Sequence, residues 1–406
     1  MRAVIIGNSA ASLAAAESFR RHDPVSELTL VASEPGPAYS RVLLPYYLRG
    51  SLPREKLFIR DWAYYERLRV RTRFGLAVTH LDHRRQTLLM EDGEELPWDR
   101  LLVATGALPV LPRFAGLPDP RIHTLWTLRD ADRLLPELLP GRRAVFLGAG
   151  FVSLQAAWAA CAHGLEVTVL EALPRVLPKV LDERGSALLE QGMRGHGVDV
   201  RCAVRIERVD NIDADLVVVA AGARPDLAFL EGTSVAVASG GAGILVDDRM
   251  RTSVPGIYAA GDAALGPSVF GEAHVAHALW PTAVEQGRVA GANLAGRERV
   301  YSGSLNMNVA ELFGLTVASM GRFQESGDPA EETIVENGPD SARYVKVLYR
   351  GGVPEGGLVL GSPEDLGVLS ALRPRIRARR PGRLAAAQPL RALHQALARP
   401  TPHARS

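Results

Sequence analysis

Cysteine is nearly missing from this chain: Cys161 and Cys202 are the only two among 406 residues. They form no CxxC pair, so a disulfide framework and a thiolate metal cluster are both excluded, and a reducing compartment is expected. Aromatic residues are sparse at 6 %. Long apolar runs are missing too: the longest, such as residues 216–221, fall far short of the roughly 18 to 20 residues that a membrane-spanning helix requires. No charged and apolar leader precedes the first apolar strand at residues 3–6, so a secretory signal is not expected. A soluble, cytoplasmic protein without a membrane span is the expectation.

Acidic residues disappear from Ala371 onward. That stretch carries nine Arg and no Asp or Glu, leaving 38 basic against 45 acidic residues in the remainder. Its Arg, Pro and Ala content, with Arg373, Arg375, Arg377, Arg379, Arg380 and Arg383, reads as a solvated, partly disordered tail with a short helix around residues 390–397. No aromatic residue interleaves with the charges, so nucleic acid is not the expected partner.

Glycine, by contrast, is abundant at 39 residues, much of it at strand-to-helix junctions where φ > 0 or close approach to a ligand is needed. Residues 2–20 read as an apolar strand, the turn Gly7-Asn8-Ser9-Ala10-Ala11-Ser12 and an Ala-rich helix. The next strand, residues 28–32, ends in Ser33-Glu34, 27 residues after Gly7. In such a unit the helix N-terminus faces a pyrophosphate and the acid takes the ribose hydroxyls. Ser9 and Ser12 stand where the fingerprint has its second and third glycines, so a purely structural turn stays open from these residues alone.

A second copy is closer to the pattern. A strand at residues 143–147, the turn Gly148-Ala149-Gly150-Phe151-Val152-Ser153 and a helix at 154–163 lead to a strand at 165–170 that ends in Glu171. This acid lies 23 residues after Gly148, near the spacing that reaches an adenosine ribose, and it repels a 2′-phosphate, so NADH is favoured over NADPH. A cation at Arg175 would soften that preference, although a solvated surface arginine is the expected reading. Further on, a short strand ends in Gly261-Asp262, where Asp262 can accept a hydrogen bond from the ribityl chain of a flavin. Two dinucleotide units followed by Gly-Asp point to a protein that holds two cofactors.

With these motifs the chain resembles the FAD-dependent pyridine nucleotide-disulfide oxidoreductase superfamily over residues 1 to about 370. The resemblance extends to Tyr39-Ser40-Arg41, to Ala104-Thr105-Gly106-Ala107, to Gly222-Ala223-Arg224-Pro225 and to Leu279-Trp280-Pro281-Thr282 at a helix start. The last of these is similar to the branch of NADH:rubredoxin oxidoreductases, nitrite reductase flavin portions and NADH-oxidising subunits of iron-sulfur enzymes. Residues 306–308, 312–315, 344–349 and 357–361 resemble its C-terminal interface domain.

The resemblance implies an α/β fold with two doubly wound Rossmann-type domains, the NAD unit inserted in the FAD unit, plus a small α+β interface domain. The expected segments are 1–112 and 238–302 for FAD, 113–237 for NAD, 303–370 for the interface domain and 371–406 for the tail. It implies FAD on Gly7, Ser9, Ala10, Ala11, Ser12, Glu34, Arg41, Ala104, Thr105, Gly106, Gly261, Asp262, Trp280, Pro281 and Thr282, and counts Gly222, which lies in the NAD segment, among the cofactor-binding residues. NAD(H) falls to Gly148, Gly150, Phe151, Val152 and Glu171. Phe151, Gln155 and Trp280 would flank the reacting rings.

Departures carry as much information. Relatives that reduce disulfides or peroxides place one or two cysteines after the first FAD unit, where this chain reads Arg41-Val42-Leu43-Leu44-Pro45. Without a thiolate those chemistries lose their nucleophile. Gln155 stands where relatives carry Glu, and the Lys that often follows the Arg-containing loop is missing. His274 and His277 precede Trp280 with no proton-transfer partner in the sequence. The implied activity is therefore transfer of electrons from NADH through FAD to an iron-sulfur protein, a rubredoxin- or ferredoxin-like acceptor, or subunits of a redox complex. A non-thiol NADH oxidase or quinone reductase, and a non-catalytic subunit that retains FAD, are the alternatives. No metal site is expected.

Overall fold

A computed structural model describes residues 1–112, 117–337 and 343–379. The chain forms two compact units: one holds residues 1–110, 126–131 and 222–305, the other 111–125, 132–221 and the residues from 306 onward. Among the described residues no helix is long and apolar enough to cross a membrane.

The first unit is built on a five-stranded parallel sheet in the order Ile257–Ala259, Arg100–Val103, Arg2–Ile6, Glu27–Ala32, Arg71–Phe74. Four of its strands are largely apolar runs, as expected where a sheet is covered on both faces, whereas the edge strand Arg71–Phe74 alternates exposed and half-buried residues. Helix Ala10–His22 follows the first strand and packs against helix Trp280–Leu294. The two backbones nearly touch: a Cβ added at Gly287 or at Gly291 would lie 2.2 Å from the carbonyl oxygen of Ala11 or Ala15. Small residues on both helices permit this approach. It brings the buried Gln286 to the amide of Gly261, whose N–H it accepts at 2.9 Å.

The second unit carries an equivalent parallel sheet, Asp199–Arg201, Glu166–Leu170, Arg143–Leu147, Leu216–Val219 and Ile122–His123. It also carries an antiparallel sheet in the order Met307–Leu312, Leu315–Gly321, Val353–Gly361, Tyr344–Arg350, Glu331–Asn337. Phe313, at the hairpin between the first two of these strands, has φ of 51° and packs 5.9 Å from the ring of Trp158 on helix Phe151–Ala162. Its other neighbour is His196 at 5.7 Å, just beyond helix Glu183–Gly195. Asp182 caps that helix through the amide of Gly185 and is held in turn by the Tyr344 hydroxyl at 2.7 Å and the buried Lys346 ammonium at 3.2 Å.

Helix Leu366–Ala378 covers the antiparallel sheet and runs through position 371, where the sequence places the start of the basic tail. The correction has a packing cause. Leu369, Leu372 and Ile376 recur at helical spacing and are buried, so Arg373, Arg375 and Arg377 belong to an ordered amphipathic helix. The helix expected around residues 390–397 lies outside the described residues.

Candidate functional site: two glycine turns and the groups around them

The first turn follows strand Arg2–Ile6. Gly7 has φ of 126°, and a Cβ there would lie 2.2 Å from the Ala104 carbonyl oxygen and 2.6 Å from the Ser12 hydroxyl. Only glycine fits. Ser9 precedes helix Ala10–His22 in extended geometry, and its side chain makes no capping bond, which leaves the first amides of the helix without a side-chain cap. Ser12 is fully buried, and its hydroxyl has no hydrogen-bond partner among the described residues.

Around this turn stand two acids and one cation. Glu34 accepts a hydrogen bond from the Tyr39 hydroxyl at 2.6 Å and is ion-paired with Arg41. Arg41 also donates to the Trp126 carbonyl at 2.7 Å. Burial pushes the Asp262 carboxyl above its usual value, and the charge of Arg41 pulls it back. Arg41 is thus ion-paired with Glu34 while its charge opposes the rise at Asp262. Tyr39 ties the loop down: its hydroxyl accepts from the Leu128 amide at 2.9 Å, and burial raises its pKa.

The next turn, Ala104 to Gly106, is adjacent. Ala104 donates to the Ile6 carbonyl at 2.9 Å, Thr105 bonds the Asp226 carbonyl at 2.9 Å through its hydroxyl, and Gly106 has φ of 76°. Gly222 joins this region because its carbonyl accepts from Val110, beside the short antiparallel pair Ala107–Pro109 and Ala223–Pro225. Asp262 follows Gly261 at the end of strand Ile257–Ala259. Trp280 and Pro281 open helix Trp280–Leu294, with Thr282 buried behind them.

His277 has a hydrogen-bond partner that the sequence does not show. Its Nδ1 lies 2.7 Å from the Ser304 hydroxyl, 27 residues on, a contact that no local spacing announces. Burial lowers its pKa, and Glu272 opposes the shift.

The second unit repeats the first turn. Gly148 has φ of 104°, and a Cβ there would lie 2.6 Å from the Ala220 carbonyl oxygen. Gly150 caps helix Phe151–Ala162, and Ser153 matches Ser12 in being fully buried with an unpartnered hydroxyl among the described residues. Glu171 is only 9 % exposed, and its carboxylate accepts from the amides of Ala149 at 2.6 Å and Leu173 at 2.8 Å. Phe151 and Gln155, four residues apart on one helix face, are half-exposed, and Val152 is exposed. Each turn thus offers a cradle that a Cβ would fill, free helix amides and a nearby acid, which fits FAD at the first and NAD(H) at the second.

The two thiols stand elsewhere. Cys161 and Cys202 both belong to the second unit, are half-buried, and burial pushes each pKa up to about 11. Among the described residues no cluster of His, Cys, Asp or Glu could hold a metal ion.

The chain is similar to known proteins. The family model described as pyridine nucleotide-disulphide oxidoreductase matches residues 1–287. The chain is 32 % identical to the epsilon subunit of the NADH-dependent phenylglyoxylate dehydrogenase of Aromatoleum evansii over 389 residues, 91 % of this chain and 90 % of that protein. It is 31 % identical over 355 residues to the ferredoxin–NAD(+) reductase component of the anthranilate 1,2-dioxygenase system of Burkholderia cepacia, 80 % of this chain and 85 % of that one. The NAD-dependent persulfide reductase from A. fulgidus superposes with a TM-score of 0.86 at 28 % identity, covering 98 % of this chain and 83 % of its own.

Proposed function

The chain belongs to the pyridine nucleotide-disulphide oxidoreductase family as an FAD-dependent NADH oxidoreductase, and from that premise we propose that its acceptor is an iron-sulfur protein or iron-sulfur subunit, reached without a cysteine relay. One observation carries the reading. The loop that would hold a redox thiol is Arg41-Val42-Leu43-Leu44-Pro45, and both cysteines lie in the other unit with thiols that stay protonated at neutral pH. FAD held by the first unit would supply the chemistry that links a two-electron donor such as the nicotinamide to a one-electron acceptor such as an iron-sulfur centre. The name of the ferredoxin–NAD(+) reductase component above accords with such an acceptor.

The residues of the chain bind and orient. In the first unit the helix amides after Ser9 and the guanidinium of Arg41 hold the diphosphate, Glu34 takes the ribose hydroxyls and Asp262 the ribityl chain. Trp280 to Thr282 present a helix N-terminus to the ring. In the second unit the amides after Gly150 take the coenzyme's diphosphate, and the buried Glu171 carboxylate disfavours a 2′-phosphate, so NADH is preferred to NADPH. Phe151 and Gln155 face the nicotinamide.

The test is anaerobic. NADH should bleach the flavin rapidly, ferricyanide should be reduced at many turnovers, and disulfides should not be reduced at all. Disulfide turnover comparable to ferricyanide turnover would defeat the proposal, and rapid oxygen consumption without any protein acceptor would favour an oxidase.

A further inference from the structure

Trp62 is half-exposed, at 50 %, although it is large and apolar and belongs to an aromatic cluster. It opens helix Trp62–Arg67, whose first turn is fixed by Asp61 accepting from the Tyr64 amide at 2.9 Å. Its ring lies 6.0 Å from Phe74 at an interplanar angle of 30° and 6.0 Å from Tyr65. Tyr65 reaches inward, donating to the Asn8 side chain at 2.8 Å and accepting from the Ala38 amide at 3.0 Å. The cluster therefore runs from the glycine turn at Asn8 out to solvent at Trp62.

Its position along the sheet says what the exposed ring is for. The strand order places Asp262 beyond Ile257–Ala259, Thr105 and Gly106 beyond Arg100–Val103, Gly7 beyond Arg2–Ile6, Glu34 beyond Glu27–Ala32 and Phe74 at the end of Arg71–Phe74. All five strands are parallel, so these residues line one edge, the carboxyl edge, where such sheets take their ligands. Along that edge come the ribityl acid, the diphosphate turn and the ribose acid. The next strand end belongs to the base attached to that ribose.

Phe74 pairs in register with Ala32, Gly75 donates to the Ala32 carbonyl at 2.9 Å, and a Cβ on Gly75 would lie 3.6 Å from Pro35, the residue after Glu34. Gly75, with φ of 86°, turns the chain beside the acid. We propose that Trp62 forms the outer wall of the adenine end of the FAD site, stacking on the base with Phe74 behind it. The inference rests on FAD binding by the first unit and is independent of the identity of the electron acceptor. A stacked base is sequence-tolerant but area-dependent, so phenylalanine should replace the indole and alanine should not.

The experiment uses the full chain stripped of FAD and titrated with FAD while flavin fluorescence is followed. Trp62→Ala should weaken FAD binding roughly ten- to hundredfold, Trp62→Phe should stay within about threefold, and the melting temperature of the FAD-free protein should be unchanged in both. The tryptophan emission quenched on adding FAD should shrink in both variants. Unchanged FAD affinity in Trp62→Ala would overturn the proposal, as would a loss of affinity that tracks a lowered melting temperature. Normal FAD binding with slowed transfer to a protein acceptor would likewise overturn it and assign Trp62 to docking.

Discussion

The carboxylate of Glu171 accepts a hydrogen bond from the amide of Ala149 at 2.6 Å, so the acid at the end of one strand closes the glycine turn at the end of its neighbour. Because Leu173 occupies the other oxygen, both acceptor sites are already directed by backbone groups. Glu171→Ala should raise the KM for NADH about tenfold, narrow the gap to NADPH, and lower stability by about 1 to 3 kcal/mol as buried amides lose their partner. Steady-state kinetics with ferricyanide and thermal melts check both parts. Equal changes for the two coenzymes would show that Glu171 only holds the turn.

Thiol chemistry gives the second prediction. With burial holding both thiols up to about 11, the thiolate fraction at pH 8 is on the order of one in a thousand. Iodoacetamide at pH 8 should leave NADH-to-ferricyanide turnover intact, and Cys161→Ser with Cys202→Ser should keep nearly full activity. Fast alkylation accompanied by loss of turnover in folded, FAD-loaded protein would contradict this.

In an ordinary helix Gly291→Ala would stabilise by about 1 kcal/mol through propensity. Here the new Cβ would meet the Ala15 carbonyl oxygen at 2.2 Å, so the helices must separate and the expected outcome is a loss of about 1 to 3 kcal/mol with weaker FAD retention. Calorimetry and FAD release on dilution measure it. A raised melting temperature would show that the close helix contact is not maintained in solution.

Burial favours neutral His277, which places its folded-state pKa below the unfolded value. The unfolded chain then binds the extra proton first, so stability is lost as the pH falls through the ordinary imidazole value of about 6.5 toward the lower folded value. His277→Gln should flatten that acid-side decline in melting temperature while keeping a hydrogen-bonding group near Ser304. A decline identical in slope to that of the wild type would assign it to other groups.

Much of the first and second units was legible locally. The turns at Gly7 and Gly148, the apolar strands before them, the acids Glu34 and Glu171 and the Gly-Asp at 261–262 follow from short-range spacing, because a strand, a tight turn and a helix set their own geometry within about thirty residues. The missing thiol at 41–45 is a sequence fact as well. Other features depend on which distant residue arrives. The fit of Gly7 against Ala104, of Gly291 against Ala15 and of His277 against Ser304 arises only when strands and helices pack. The same holds for the Arg41–Glu34 ion pair and for Phe313 reaching Trp158. Sequence separation says nothing about such contacts, because burial and backbone approach are properties of the packed core and not of the pattern that leads to it.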